Sequence, residues 1–196
     1  MVKISYSVMM HKSREKYLPY FEGNLEEFKV SMDDGSKGIY ENCINSWELY
    51  DPQRDYHCLV QDDVIFTYGF KSKLESFINE NKFKSSVIVL YLDKRPSYMK
   101  KINEARSLGK DYVTSKRIHH EIALCIPTKL VSNLIEFARK HPQKDDKFLD
   151  GWLRHNNMIA VYPMPSLIDH RNDDTLHDGN LLDKSMYVAG WFEDGR

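Results

Sequence analysis

The 196-residue chain has little that would tie it together covalently, draw it into a membrane or press it onto a polyanion. Its three cysteines, Cys43, Cys58 and Cys125, are widely spaced. That excludes a dense disulfide framework and the paired spacing of a zinc site, and it fits reduced, packed thiols. No apolar run approaches the ~18 residues of a membrane span. Lys3, His11 and Lys12 interrupt the opening strand, so the start does not resemble a secretory signal. A soluble, cytoplasmic protein that needs no membrane is expected. The formal net charge is −1, so no global positive field directs the chain to nucleic acid or an anionic surface. Repeats and low-complexity linkers are also missing. Residues 1–196 are expected to form one domain.

What is present is an alternation of apolar strands and amphipathic helices, which predicts an α/β sandwich around a mainly parallel sheet. Lys3–Met10 reads as a first strand. Ser13 is placed to cap a helix through Phe21, where Arg14 would stand at an anion-binding helix start. Phe28–Met32 reads as a second strand ending at the turn Asp33-Asp34-Gly35. Gly38 then opens a helix to Tyr50, with Ile39, Cys43, Trp47 and Tyr50 three to four apart. A glycine there would let backbone N–H groups approach a ligand. Ser86–Leu92 is nearly all apolar, as a strand covered on both faces would be. Asp93–Asp111 is polar and basic, and reads as an inserted flap with a short helix near Tyr98–Arg106. Glu121–Ile126 and Ile159–Tyr162 are further strands, and Thr128–Lys140 is a helix.

The chemistry concentrates in His57-Cys58-Leu59-Val60-Gln61-Asp62-Asp63-Val64-Ile65-Phe66. Two adjacent carboxylates stand within an apolar run, where an unpaired buried charge costs several kcal/mol. At the carboxyl end of a strand they would face the crevice where open α/β sheets bind ligands. Hard oxygen ligands there suit Mg²⁺ or Mn²⁺ carrying a diphosphate. Taken alone, the doublet is better read as a solvated turn. Two further polar sets stand at strand ends or helix starts: Asp145 and Asp146, with Asp150 beyond, and Asp169-His170-Arg171.

Together these residues resemble the GT-A type of nucleotide-sugar-dependent glycosyltransferase, most closely the small single-domain enzymes commonly encoded by bacteriophages. The resemblance rests on Ser7–Arg14, Gly38–Asn42, Leu59–Val64 and, most specifically, Tyr162–Arg171. It implies a Rossmann-type α/β/α sandwich and transfer of a sugar from a nucleoside-diphosphate sugar, UDP-linked for instance, to a hydroxyl. The acceptor hydroxyl would belong to a DNA base, a saccharide or a protein. A divalent cation would be held by Asp63 and His170. Asp62 would help the ribose or a metal-bound water, because Gln61 stands where the usual Asp-x-Asp has its first acid. Arg14 and Lys37 would add positive charge near the diphosphate, and Asp33 and Gly38 would hold the nucleoside side. Asp146 is the first candidate for the base, then Asp145 and Asp150. Two alternatives use the same sheet: a nucleotidyltransferase that makes nucleotide sugars, and a non-catalytic nucleotide-binding module. The first is disfavoured because His11-Lys12-Ser13-Arg14 contains no glycine.

Overall fold

A computed structural model of the chain describes residues 1–80, 86–118, 120–142, 147–171 and 188–193. In chain order the strands are β1 (Ile4–His11), β2 (Lys29–Asp33), β3 (Tyr56–Gln61), β4 (Val64–Phe66), β5 (Val87–Val89), β6 (Tyr112–Ser115), β7 (Ala123–Pro127), β8 (Ala160–Pro163) and β9 (Ile168–His170). The helices are α1 (Leu18–Asn24), α2 (Gly38–Glu48), α3 (Phe70–Glu80), α4 (Pro96–Ser107), α5 (Thr128–Lys140) and α6 (Phe148–His155).

A seven-stranded sheet has the order β2-β1-β3-β7-β5-β8-β6, and β4 and β9 form a small second sheet. β1 pairs in parallel with β2 and β3, and β5 with β8, whereas β7 and β6 run against their neighbours. Five of the seven strands therefore point the same way. This is the mainly parallel α/β sheet that the strand–helix alternation predicts.

β3 shows how the sheet is covered. Leu59 packs with Trp47 of α2, Leu134 of α5 and Trp152 of α6. Its neighbours Cys58 and Val60 point the other way, to Phe21 of α1 and Phe70 and Leu74 of α3. Successive strand residues alternate between faces, so a strand with helices on both sides must be apolar throughout. All of Tyr56–Val60 is buried.

Three expectations change. The helix after β1 begins as a 3-10 turn over Lys12–Tyr17, and its cap is His11, whose ring accepts the Ser13 N–H. β1 runs one residue further than its apolar pattern, and this moves the cap. The strand expected over Ser86–Leu92 keeps its ladder for Val87–Val89, although Leu90, Tyr91 and Leu92 stay buried. The basic segment after Asp93 is no flap. It holds the twelve-residue α4, docked by buried Tyr98, Ile102 and Ala105. Among the described residues no helix is long and apolar enough to cross a membrane.

Candidate functional site

The carboxyl end of β3 is where the polar groups gather. The parallel register sets Met9 of β1 beside Gln61 of β3, so the loop after β1 and the acids after β3 leave the sheet side by side. The Asp62 carboxylate accepts the His11 backbone N–H at 2.7 Å and the Arg14 guanidinium at 2.7 Å. The same Arg14 Nη1 lies 3.2 Å from Asp63 Oδ2. Arg14 is nearly buried, and its charge lies between the two acids.

The small sheet delivers the other side. β4 and β9 pair antiparallel with Val64 opposite His170, and the Arg171 N–H donates to the Asp63 carbonyl at 2.6 Å. Chain segments about a hundred residues apart are thereby clamped, and His170 Nε2 lies 3.3 Å from Asp63 Oδ2. Asp169 stiffens the corner, since its Oδ1 accepts the N–H groups of His170 and Ala189 at 2.8 and 2.7 Å. The Arg171 guanidinium lies over the rings of Tyr17 and Tyr20, 4.4 and 4.8 Å from their centres.

The electrostatics follow from burial and pairing. Burial by itself raises a carboxyl pKa, and it prevails at Asp62, which is raised despite its bonds to His11 and Arg14. At Asp63 burial acts in the same direction, but His170 and Arg14 outweigh it and the pKa falls. Burial would lower His170; the Asp63 carboxylate reverses this and raises it. Asp63 is therefore the committed anion of the site. Its second oxygen, Oδ1, is buried with no hydrogen-bond partner among the described residues. An orphaned carboxylate oxygen is costly and marks a place where a cation fits.

A divalent cation suits these residues. Asp63 and His170 converge closely enough to share one ion, and a carboxylate oxygen with an imidazole nitrogen is a donor set that Mn²⁺ accepts. Among the described residues no three His, Cys, Asp or Glu side chains form a complete cluster. The protein thus offers two ligands, and phosphate oxygens and water would supply the others.

The remaining expected residues are placed as follows. Asp33 ends β2 and accepts the backbone N–H groups of Lys37 and Gly38 at 3.0 and 3.1 Å. It caps α2, and the Gly38 N–H expected to face a ligand is given to it. Gly38 has φ +81°, which suits glycine at this sharp entry. Lys37 is exposed, its Nζ 3.5 Å from the Met32 carbonyl. Asp150 is buried, accepting the Ile118 N–H at 3.0 Å and pairing with Arg117 and Arg154 at 2.9 and 3.2 Å, a clamp between α6 and the loop that follows β6. Asp145 and Asp146 lie outside the described residues.

One cluster escaped the sequence reading. Asp93, fully buried past β5, binds His120 at 2.7 Å and Arg95 Nε at 3.0 Å, and Arg95 also meets His120. Asp93 could have been found by the reasoning that picked out Asp62, an acid at the end of an apolar strand. His120 could not, because tertiary pairing alone brings it there.

No family model matches the chain, and no curated protein matches it in sequence. Its fold is similar to that of a Drosophila β1,4-galactosyltransferase 7 solved with manganese, UDP-Gal and xylobiose, with a TM-score of 0.51, 9% identity, and 92% of this chain and 78% of that chain covered. A putative glucose-1-phosphate thymidylyltransferase from Bacillus anthracis is more distant, with a TM-score of 0.47, 12% identity, and 84% and 69% covered. So is a 4-diphosphocytidyl-2C-methyl-D-erythritol synthase from Anaerococcus prevotii, with a TM-score of 0.45, 10% identity, and 85% and 91% covered. The first likeness establishes a GT-A-like, Rossmann-type fold.

Proposed function

We propose that the chain is a glycosyltransferase that binds a nucleoside-diphosphate sugar at the carboxyl edge of β3 and passes the sugar to an acceptor hydroxyl. The observation that carries this reading is the convergence of Asp63 Oδ2 and His170 Nε2 at 3.3 Å, with Asp63 Oδ1 buried and unpartnered. These two residues would hold a divalent cation. Such an ion acts as a Lewis acid and offsets the charge that grows on a departing diphosphate. The manganese and UDP-Gal bound by the galactosyltransferase of similar fold support the choice of ion and donor.

Each residue of this chain has a part in that reading. With an ion held at Asp63, Arg14 would keep its 2.7 Å bond to Asp62 and release its longer 3.2 Å contact with Asp63. It then remains as fixed positive charge beside the diphosphate, with Lys37 further out. Asp62, held by the His11 N–H, faces the ribose or a metal-bound water. Asp33, as the cap of α2, fixes the loop that borders the nucleoside. In the transfer the acceptor oxygen bonds to the anomeric carbon, the bond from that carbon to the diphosphate oxygen breaks, and the acceptor proton passes to a carboxylate. Asp146, just before α6, is that base, with Asp145 next in line. Direct displacement of this kind inverts the anomeric centre. A hydroxymethylated base in phage DNA, a saccharide and a protein hydroxyl form the acceptor panel.

Calorimetry with UDP, GDP, CDP and dTDP in the presence of Mn²⁺ tests the donor. One nucleotide should bind clearly better than the others, and no heat with any of them overturns the reading. Asp146→Asn should leave that binding intact and lower transfer about 10²-fold or more, the usual scale for loss of a general base. Full activity in both Asp146→Asn and Asp145→Asn would remove the base from this segment.

A further inference from the structure

Charge is distributed unevenly along the chain. Residues 94–117 carry eight Lys and Arg against Glu104 and Asp111, a net of +6, so the remainder carries −7. The fold gathers this excess on one side. α4 packs its apolar residues Tyr98, Ile102 and Ala105 into the core, and β6 is the outer strand of the large sheet, paired with β8 alone. Lys101 joins the two elements, its Nζ reaching the Thr114 carbonyl at 3.2 Å.

Some of these cations serve the fold. Arg95 pairs with Asp93 and Arg117 with Asp150, and Arg106 lies over the Trp191 ring. Lys94, Lys100, Lys110 and Lys116 are different. All four are exposed, and none has a carboxylate partner among the described residues. On other surfaces several exposed cations are neutralised, as in Lys12–Glu15, Arg139–Glu48 and Lys140–Glu136.

We propose that the exposed face of α4 and the adjoining end of β6 form a docking surface for the phosphate backbone of a nucleic acid. Unneutralised lysines before α4 (Lys94), on it (Lys100), in the turn after it (Lys110) and just past β6 (Lys116) complement a polyanion on an otherwise acidic protein. The outward neighbours Ser97, Asn103, Ser107 and Thr114 are exposed and supply the hydroxyl and amide donors that commonly contact phosphate oxygens. An anionic membrane is the poorer match. A helix that lies on lipid needs an apolar face to bury there, and α4 has already given its own to the core; Leu108 is the large apolar residue left exposed on this side. β6 lies four strand spacings from β3, or about 19 Å across the sheet. The proposal goes beyond the donor reading and does not need it, because binding is read without a nucleotide sugar.

The test is fluorescence anisotropy of the full chain with a short labelled duplex and the matching single strand. Binding should weaken steeply between about 50 and 200 mM salt, with a log–log slope near −3 to −4 on the duplex for four lysines. Lys100→Glu/Lys110→Glu/Lys116→Glu should bind at least about tenfold more weakly with an unchanged thermal midpoint. Lys3→Glu/Lys29→Glu/Lys129→Glu, changed at exposed positions elsewhere, should bind like the parent. No binding at the lowest salt overturns the proposal. Equal loss in both triple variants, or capture by phosphatidylserine vesicles without binding to either nucleic acid, does so as well.

Discussion

The two ends of β3 bury polar groups in opposite ways. At the amino end His57 is fully buried, its ring nitrogens 2.8 and 2.9 Å from the hydroxyls of Ser5 and Ser7, with Trp47 edge-on at 5.5 Å. Burial pushes its pKa down to about 4, so the ring is neutral and both nitrogens are satisfied. At the carboxyl end, Asp62 and Asp63 stand with Arg14 and His170, and Asp63 keeps an oxygen without a partner among the described residues. In the first cluster the imidazole is fully paired, although the indole nitrogen of Trp47 beside it is buried without a partner among the described residues. The second holds charge in place and leaves one bond unmade, as a ligand site does. What sets Asp63 apart is that its unpaired buried atom belongs to a charged group, whose missing partner calls for an explanation.

Breaking the charged end should have the largest effect. Arg14→Met strands Asp62 without its cation, and loss of one partner of a buried pair costs about 3–5 kcal/mol. Urea unfolding would measure it. A loss below about 1 kcal/mol would mean that the pair is solvated, like an exposed one.

The neutral end makes a pH prediction. The folded pKa of His57, about 4, lies below the ordinary 6.5, so between those values the unfolded chain binds more protons. The His57 contribution is complete above pH 6.5 and shrinks as pH falls through this window. From pH 7.5 to 5 the loss is roughly 2 kcal/mol. His170, raised by Asp63, acts in the other sense: its stabilisation is present below the ordinary value and is lost as pH rises through the folded one. Unfolding measured at both pH values should show the slope, and His57→Gln should flatten it. A slope that persists in the variant assigns the titration elsewhere.

How far the sequence revealed these two ends follows from how local each signal is. The apolar, two-sided character of β3 is written in consecutive residues, while its place between β1 and antiparallel β7 is not. The turn at Asp33 is equally local, but its carboxylate capping α2 was not read from the sequence, which set Asp33 on the nucleoside side. Arg14 on Asp62 is not local, since the parallel pairing of β1 and β3 joins residues 48 positions apart. A helix near Tyr98–Arg106 was legible, but the basic residues from Lys94 to Arg106 made the segment around it read as a flap, whereas buried Tyr98, Ile102 and Ala105 dock it on the core. His170 was legible from its motif, and the register of β4 with β9 explains why it meets Asp63.

The smallest expected effect tests the central claim most directly. His170→Ala should weaken Mn²⁺ binding in the presence of the preferred nucleoside diphosphate by about tenfold or more, the scale on which even outer-shell partners count. Electron spin echo spectroscopy of the Mn²⁺-loaded protein reads the ligand itself. The account predicts the nitrogen coupling of one imidazole, absent in His170→Ala. Bound Mn²⁺ without that coupling, or a coupling that survives in His170→Ala, would contradict it.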